Sequence, residues 1–230
     1  MKKTFTILAI GSALALGSAQ AEIESSFHVG YSTDYVFRGA NQGEGLYEYG
    51  IDFSGDASGG NTWNAGVWRA DFSDGLSEET DIYGSVSKEF GAVELSLGLI
   101  RYDFGSGAAG DTSEIFLGAG TELCGLSVAA VAYYDVDAAD GNMYGELSAG
   151  KSYEVGEGAT LNLIATIGST IDGGAGDDYV TYGLKAALSK ELGDNLTGSI
   201  YIAGEITEGV RAASNEGDDL VGGLSLSYGF

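Results

Sequence analysis

From Leu220 to Phe230 the chain alternates without a break. Leu220, Leu224, Leu226, Tyr228 and Phe230 share one parity, and Val221, Gly223, Ser225, Ser227 and Gly229 share the other. A period of two is a strand with an apolar row on one side and a small or polar row on the other. In water, such a row at a mobile terminus is badly placed. In a strand that closes a transmembrane barrel it is well placed, because hydrocarbon takes the apolar face and both edges are paired.

The same pattern recurs along the chain and predicts about twelve strands, roughly 25–38, 46–55, 62–72, 80–90, 92–103, 113–123, 125–135, 142–155, 159–170, 179–191, 195–206 and 219–230. Most have the ~10 residues that a strand tilted by ~45° needs to cross a bilayer. Soluble sandwiches favour strands of ~5–6 residues. The connections alternate. After even strands they are mostly tight, as at Phe90-Gly91-Ala92 and Leu123-Cys124-Gly125. After odd strands they are longer and acidic, as at Asp103 to Thr112 and Thr207 to Asp218. Outer-membrane barrels have short periplasmic turns and longer external loops, and an even strand count leaves both termini in the periplasm. The expected fold is all-β, a transmembrane up-and-down antiparallel β-barrel in the bacterial outer membrane.

Composition agrees with export. Met1-Lys2-Lys3, an apolar run from Phe5 to Leu16 and Ala19-Gln20-Ala21 read as a cleaved signal peptide, residues 1–21, leaving 22–230 as one barrel domain. Loss of Lys2 and Lys3 takes the formal charge from −24 to −26. A chain this acidic has no basic face for phosphates, which excludes nucleic acid as a partner. With one cysteine, Cys124, no internal disulfide can form. The chain has no proline, which suits long strands in which every N–H must pair.

The faces follow from parity. Phe27, Val29, Tyr31, Tyr35 and Phe37 should point outward in the first strand; Val93, Leu95, Leu97 and Leu99 in the fifth; Leu161, Leu163, Ala165 and Ile167 in the ninth. The third strand stays unassigned, because Trp63 and Trp68 have opposite parity. Aromatic rings gather in two bands that match interfacial girdles. Phe53, Phe90, Tyr153, Tyr228 and Phe230 form the periplasmic band, and Tyr35, Phe37, Tyr47, Tyr49, Tyr134 and Tyr182 the outer band. Lys88, Lys151 and Lys190 share the outward parity near strand feet. A lysine costs ~2–4 kcal/mol at the bilayer midplane and ~0–1 near the interface. These three should therefore snorkel to lipid head groups as depth anchors, although solvated strand-end charges are the simpler alternative.

Twelve strands lie between eight, whose interior side chains can fill, and sixteen, which leave a wide channel. Parity puts Asp34, Glu48, Asp52, Glu94, Glu122, Glu146, Glu154 and Glu205 inward, with the bases Arg38, Arg69 and Lys185. Asp34, Arg38, Glu48, Asp52, Arg69, Glu146, Lys185 and Glu205 are the candidates to line a lumen or constriction. An acid-rich wall favours cations. Arg38, Arg69 and Arg101 could form a basic wall at the outer end, but Arg101 falls on the lipid-facing register and reads as a rim charge. The alternative for Arg38 is a structural pair with Glu48 or Asp52.

His28 is the only histidine and faces inward near the periplasmic foot, which disfavours a histidine-dependent enzyme. No cofactor or metal site is expected. Asp135-Val-Asp137-Ala-Ala-Asp140-Gly141 lacks the spacing of a calcium loop. Acidic turns such as Asp177-Asp178 and Asp218-Asp219 read first as solvated, with divalent ions bridging to lipopolysaccharide as the minor reading.

Two stretches carry resemblances. The terminal strand resembles the signature read by the machinery that assembles outer-membrane barrels, which implies that machinery and outer-membrane lipid as partners. The run Gly30-Tyr-Ser-Thr-Asp-Tyr-Val-Phe-Arg-Gly-Ala-Asn-Gln-Gly43, with Trp63-Asn-Ala-Gly-Val-Trp68 and Lys88-Glu-Phe-Gly91, resembles the TorF family of porin-like proteins over nearly the whole chain after residue 21. The resemblance implies an outer-membrane porin without naming a solute. The expected function is a channel for passive diffusion of small polar solutes, with cation preference. A closed barrel with structural or surface-interaction roles is the alternative, and an outer-membrane enzyme is the less favoured one.

Overall fold

A computed structural model describes residues 23–73, 78–105, 110–138, 141–172, 179–209 and 219–230. The expected signal peptide lies outside the described residues. Among them the chain forms twelve strands and no helix: β1 (Glu24–Phe37), β2 (Ala40–Ala57), β3 (Asn61–Phe72), β4 (Glu78–Phe90), β5 (Val93–Asp103), β6 (Thr112–Leu123), β7 (Leu126–Asp135), β8 (Met143–Gly156), β9 (Ala159–Asp172), β10 (Tyr179–Gly193), β11 (Leu196–Gly209) and β12 (Asp219–Gly229). Each pairs antiparallel with its sequence neighbours, and β1 pairs with β12 to close the barrel. The closing ladder runs from Ser26↔Gly229 to Ser32↔Gly223. It uses the alternating terminal stretch and leaves no sheet edge open there.

One end carries turns of two or three residues. Gly91-Ala92, Cys124-Gly125, Glu157-Gly158 and Asp194-Asn195 each join paired strands. Cys124 and Asn195 adopt φ of 53° and 62°, and Gly125 adopts 77°. Two-residue hairpins require such left-handed residues to match strand twist. The other end carries the longer connections after β3, β5, β7, β9 and β11.

Parity sorts the two walls. The exterior rows include Val93, Leu95, Leu97 and Leu99 on β5, Leu163 and Ile167 on β9, and Leu224, Leu226 and Tyr228 on β12, with Phe230 exposed just beyond it. Lys88, Lys151 and Lys190 belong to exterior rows, beside Val86, Leu147 and Leu188, at the end with the short turns. The Lys88 and Lys151 ammonium groups stand 5.8 and 5.3 Å from the rings of Phe90 and Tyr153. The register of β3 is now defined. Gly55↔Trp63 and Ile51↔Val67 place Trp63 outward, and Trp68 is turned inward and only 2 % exposed.

Inside, aromatic side chains fill much of the loop-end half. One buried cluster holds Ile100, Tyr102, Phe116, Val131, Tyr133, Tyr144 and Tyr179, and a second holds Leu46, Trp68, Ala70 and Phe72. Glycine makes room for them. A Cβ on Gly98 would meet the Phe116 ring and would lie 2.6 Å from the Gly84 carbonyl oxygen.

The first connection departs from expectation. The stretch after residue 38 reads as a loop, because Asn41-Gln-Gly-Glu-Gly45 is polar and glycine-rich. It is instead paired as the start of β2, and the turn is only Arg38-Gly39, with φ of 50° and 76°.

Candidate functional site: the lumen and an inward hairpin

The ladders on both sides of this first hairpin stop early. β1 leaves β12 after Ser32↔Gly223, and β2 meets β3 only from Leu46↔Phe72 onward. Beyond those points β1 and β2 continue with each other alone, from Asp34↔Glu44 to Phe37↔Ala40, with a bulge at Tyr35/Val36. Gly45, at φ 68°, sits at the departure point. Freed from the wall, the hairpin Thr33–Gly45 bends into the barrel.

Its contacts trace a path across the lumen. The Tyr35 ring lies 5.7 Å from Trp68 and 5.8 Å from Phe72 on β3. The Tyr35 hydroxyl donates to Glu79 of β4 at 3.4 Å. Phe37 packs edge-on against Tyr102 of β5 at 6.0 Å. At the tip, Arg38 donates from Nη1 and Nη2 to the two carboxylate oxygens of Glu114 on β6, at 2.6 and 2.7 Å. Its guanidinium also lies 4.5 Å from the Tyr133 ring of β7 and 4.6 Å from the Tyr144 ring of β8. On another side, the Thr207 hydroxyl of β11 donates to the Gly39 carbonyl at 2.9 Å. Asn41 donates to Asp219 of β12 at 3.3 Å.

These positions correct three expectations. Tyr35 and Phe37 are lumen residues and take no part in the outer aromatic band, whereas Tyr47, Tyr49, Tyr134 and Tyr182 do present their rings on the exterior. Arg38 does not pair with Glu48 or Asp52. Glu48 accepts from the Trp68 indole at 2.9 Å, and Asp52 accepts from the Tyr83 hydroxyl and lies 3.5 Å from the His28 imidazole. Arg69 does not line the lumen. The inward slot beside it belongs to Trp68, so Arg69 stands on the exterior rim with Asp71 at 3.3 Å and with Glu78. Arg101 is likewise a rim charge, bonded to Asp111 at 3.0 Å and Asp137 at 2.6 Å. The acidic loop residues Asp135 and Asp137 are thus engaged by protein donors, with Thr112 bonded to Asp135 at 2.7 Å. No group of three metal-ligating side chains occurs among the described residues.

A cavity of about 500 Å³ occupies the lumen against the hairpin. Asp34, Arg38, Glu48, Glu146, Lys185 and Glu205 line it, with hydroxyls such as Ser148 and Thr166. The Lys185 ammonium lies 4.2 Å from the Tyr201 ring and makes no ion pair with a described carboxylate. Three more inward acids, Glu79, Asp81 and Glu114, are buried on the strands that the hairpin meets. Asp81 is 0 % exposed, and its carboxylate oxygens make no hydrogen bond of normal geometry. Their parity was legible, since Glu79 and Asp81 alternate with Ile82 and Val86, but acids flanked by threonine at a strand end look like rim residues.

No family model matches the chain, and no curated protein matches it. Solved structures do. The KdgM porin superposes with a TM-score of 0.54 at 12 % identity, covering 89 % of this chain and 99 % of that one. The NanC porin gives 0.56 at 10 % identity, covering 89 % and 98 %. An outer membrane channel from Pseudomonas putida F1 gives 0.56 at 10 % identity, covering 93 % and 97 %. At these identities the likeness is one of fold: the chain has the closed antiparallel barrel of outer-membrane porins.

Proposed function

We propose that this protein is an outer-membrane channel for passive diffusion of small polar solutes, with a preference for cations. The observation that carries the reading is the division of one closed cylinder into an apolar exterior and an interior whose cavity is lined by acids and hydroxyls beside the aromatic clusters. Lipid accounts for the first wall and water for the second. The fold shared with proteins described as porins supports it, and the TorF-like motifs agree with it. In this orientation the short turns face the periplasm, the lysine row meets phospholipid head groups, and the loops meet lipopolysaccharide. The terminal strand would be the part presented to the barrel-assembly machinery.

Cation preference follows from the count of inward charges. Among the described residues, Asp34, Glu48 and Glu146 line the cavity with Lys185 as the one lysine or arginine outside the Arg38–Glu114 pair. Confined negative charge raises the local cation concentration. The test is planar-bilayer recording of the refolded barrel in a salt gradient. Discrete openings whose reversal potential lies toward the cation equilibrium potential are expected, and a folded protein without openings would refute the reading.

One observation favours a second reading, a closed barrel with structural or surface roles. The hairpin Thr33–Gly45 touches wall strands on nearly every side of the lumen. Liposome swelling with sugars and amino acids separates the two, since a closed barrel admits neither.

A further inference from the structure

We propose that the inward hairpin Thr33–Gly45, pinned across the lumen by Arg38 on Glu114, is the constriction that sets which solutes pass. The inference rests on the channel reading and names the element that does the selecting.

The hairpin is built to stand away from the wall. Both flanking ladders end at Ser32 and Leu46, so apart from the Gly45 carbonyl, which accepts from the Ser73 N–H at 2.9 Å, main-chain pairing runs only within the hairpin. An isolated two-stranded ribbon is marginal in water. This one is held by side chains at its far end. The bidentate Arg38–Glu114 contact is planar and charge-assisted, the strongest geometry available to an ion pair. Glu114 takes a further hydrogen bond from the Tyr102 hydroxyl at 3.0 Å, so its position is fixed independently. Three rings, Phe37, Tyr133 and Tyr144, hold the guanidinium on its remaining faces. Arg38 accepts a left-handed backbone, uncommon for a residue with a side chain, to reach this position.

The chemistry of the remaining passage follows. Because Arg38 is spent on Glu114, the hairpin adds little net positive field, and the acids Asp34, Glu48 and Glu146 set the sign of the path beside it. Small neutral or cationic solutes fit that path. Extended oligosaccharides and polyanions do not, the first by size and the second by charge.

The experiment compares the native barrel with two kinds of variant. In the first, residues 33–45 are replaced by Asn-Gly, a turn suited to a two-residue hairpin closed on the Ser32↔Leu46 pair. In the second, Arg38→Ala and Glu114→Gln release the tip while the hairpin stays. Heat-modifiable migration in detergent gels verifies folding, and single-channel conductance and liposome swelling with sugars of increasing length are the readouts. The excised barrel should conduct severalfold more than the native one and admit sugars that the native one excludes, and the tip variants should fall between. A silent native barrel with a conducting excised barrel would overturn both the channel reading and the constriction, the hairpin then being a plug. A native barrel that conducts no differently from folded excised and Arg38→Ala barrels would overturn it and leave the channel reading intact. Silence in every folded protein would remove the channel reading, and the constriction with it.

Discussion

Arg38 and Glu114 lie 76 residues apart in sequence and meet inside the barrel through two hydrogen bonds of 2.6 and 2.7 Å. Their side chains are 14 % and 8 % exposed. Removing one partner from a buried pair costs ~3–5 kcal/mol because the other charge is stranded, whereas replacing both with apolar groups of similar volume is often neutral. Arg38→Ala should therefore lower the unfolding free energy, read from urea titration in detergent micelles, by an amount of that order. Arg38→Met with Glu114→Leu should recover most of the loss, and a double variant as unstable as the single one would contradict the pairing.

Lysine should be tolerated at the strand feet and penalised in the middle of the exterior wall. Leu184 is 70 % exposed on the outer face of β10, six residues before Lys190 on the same row. A charge on that face costs ~2–4 kcal/mol at mid-membrane and ~0–1 near the interface. Leu184→Lys should destabilise the barrel in lipid vesicles by the larger amount, and Lys190→Leu should change it little. Equal effects would mean that the exterior wall does not face hydrocarbon.

Gly98 should not accept a methyl group. Its Cβ would stand 2.6 Å from the Gly84 carbonyl oxygen on the neighbouring strand and against the Phe116 ring. Overpacking of this kind costs ~1–3 kcal/mol. Gly98→Ala should show that loss in equilibrium unfolding, and Phe116→Ala in the same chain should not abolish it, because the backbone clash remains.

Charge selection should follow the cavity acids. Glu48→Gln with Glu146→Gln removes two negative charges from the lumen and should move the reversal potential in a salt gradient toward zero or past it. Lys185→Gln should move it the other way. A potential indifferent to all three would place the selecting charges elsewhere, on the loops.

Cys124 reports topology. It is exposed in the two-residue turn between β6 and β7. On intact cells a membrane-impermeant maleimide should leave it unlabelled, and permeabilising the outer membrane should expose it. In a Cys124→Ser chain, a cysteine introduced by Asp137→Cys on the opposite end should label without permeabilisation.

The alternating residues determined a great deal unaided. Strand number, the outward lysine row, the end that carries tight turns and the inward parity of Glu48, Glu146, Lys185 and Glu205 all follow from a period of two, because a closed wall has only two faces and each faces a different solvent. Tertiary structure alone decided the hairpin. Tyr35 and Phe37 suit a membrane interface as well as they suit a packed interior, so their chemistry does not distinguish the two. Arg38 finds Glu114 only because twelve strands close and bring β6 opposite the β1–β2 turn. Parity also fails once a strand leaves its neighbours, since no wall remains to define inside and outside. The lumen lining was thus written in the local pattern, and what narrows it was set by a long-range contact that no local pattern encodes.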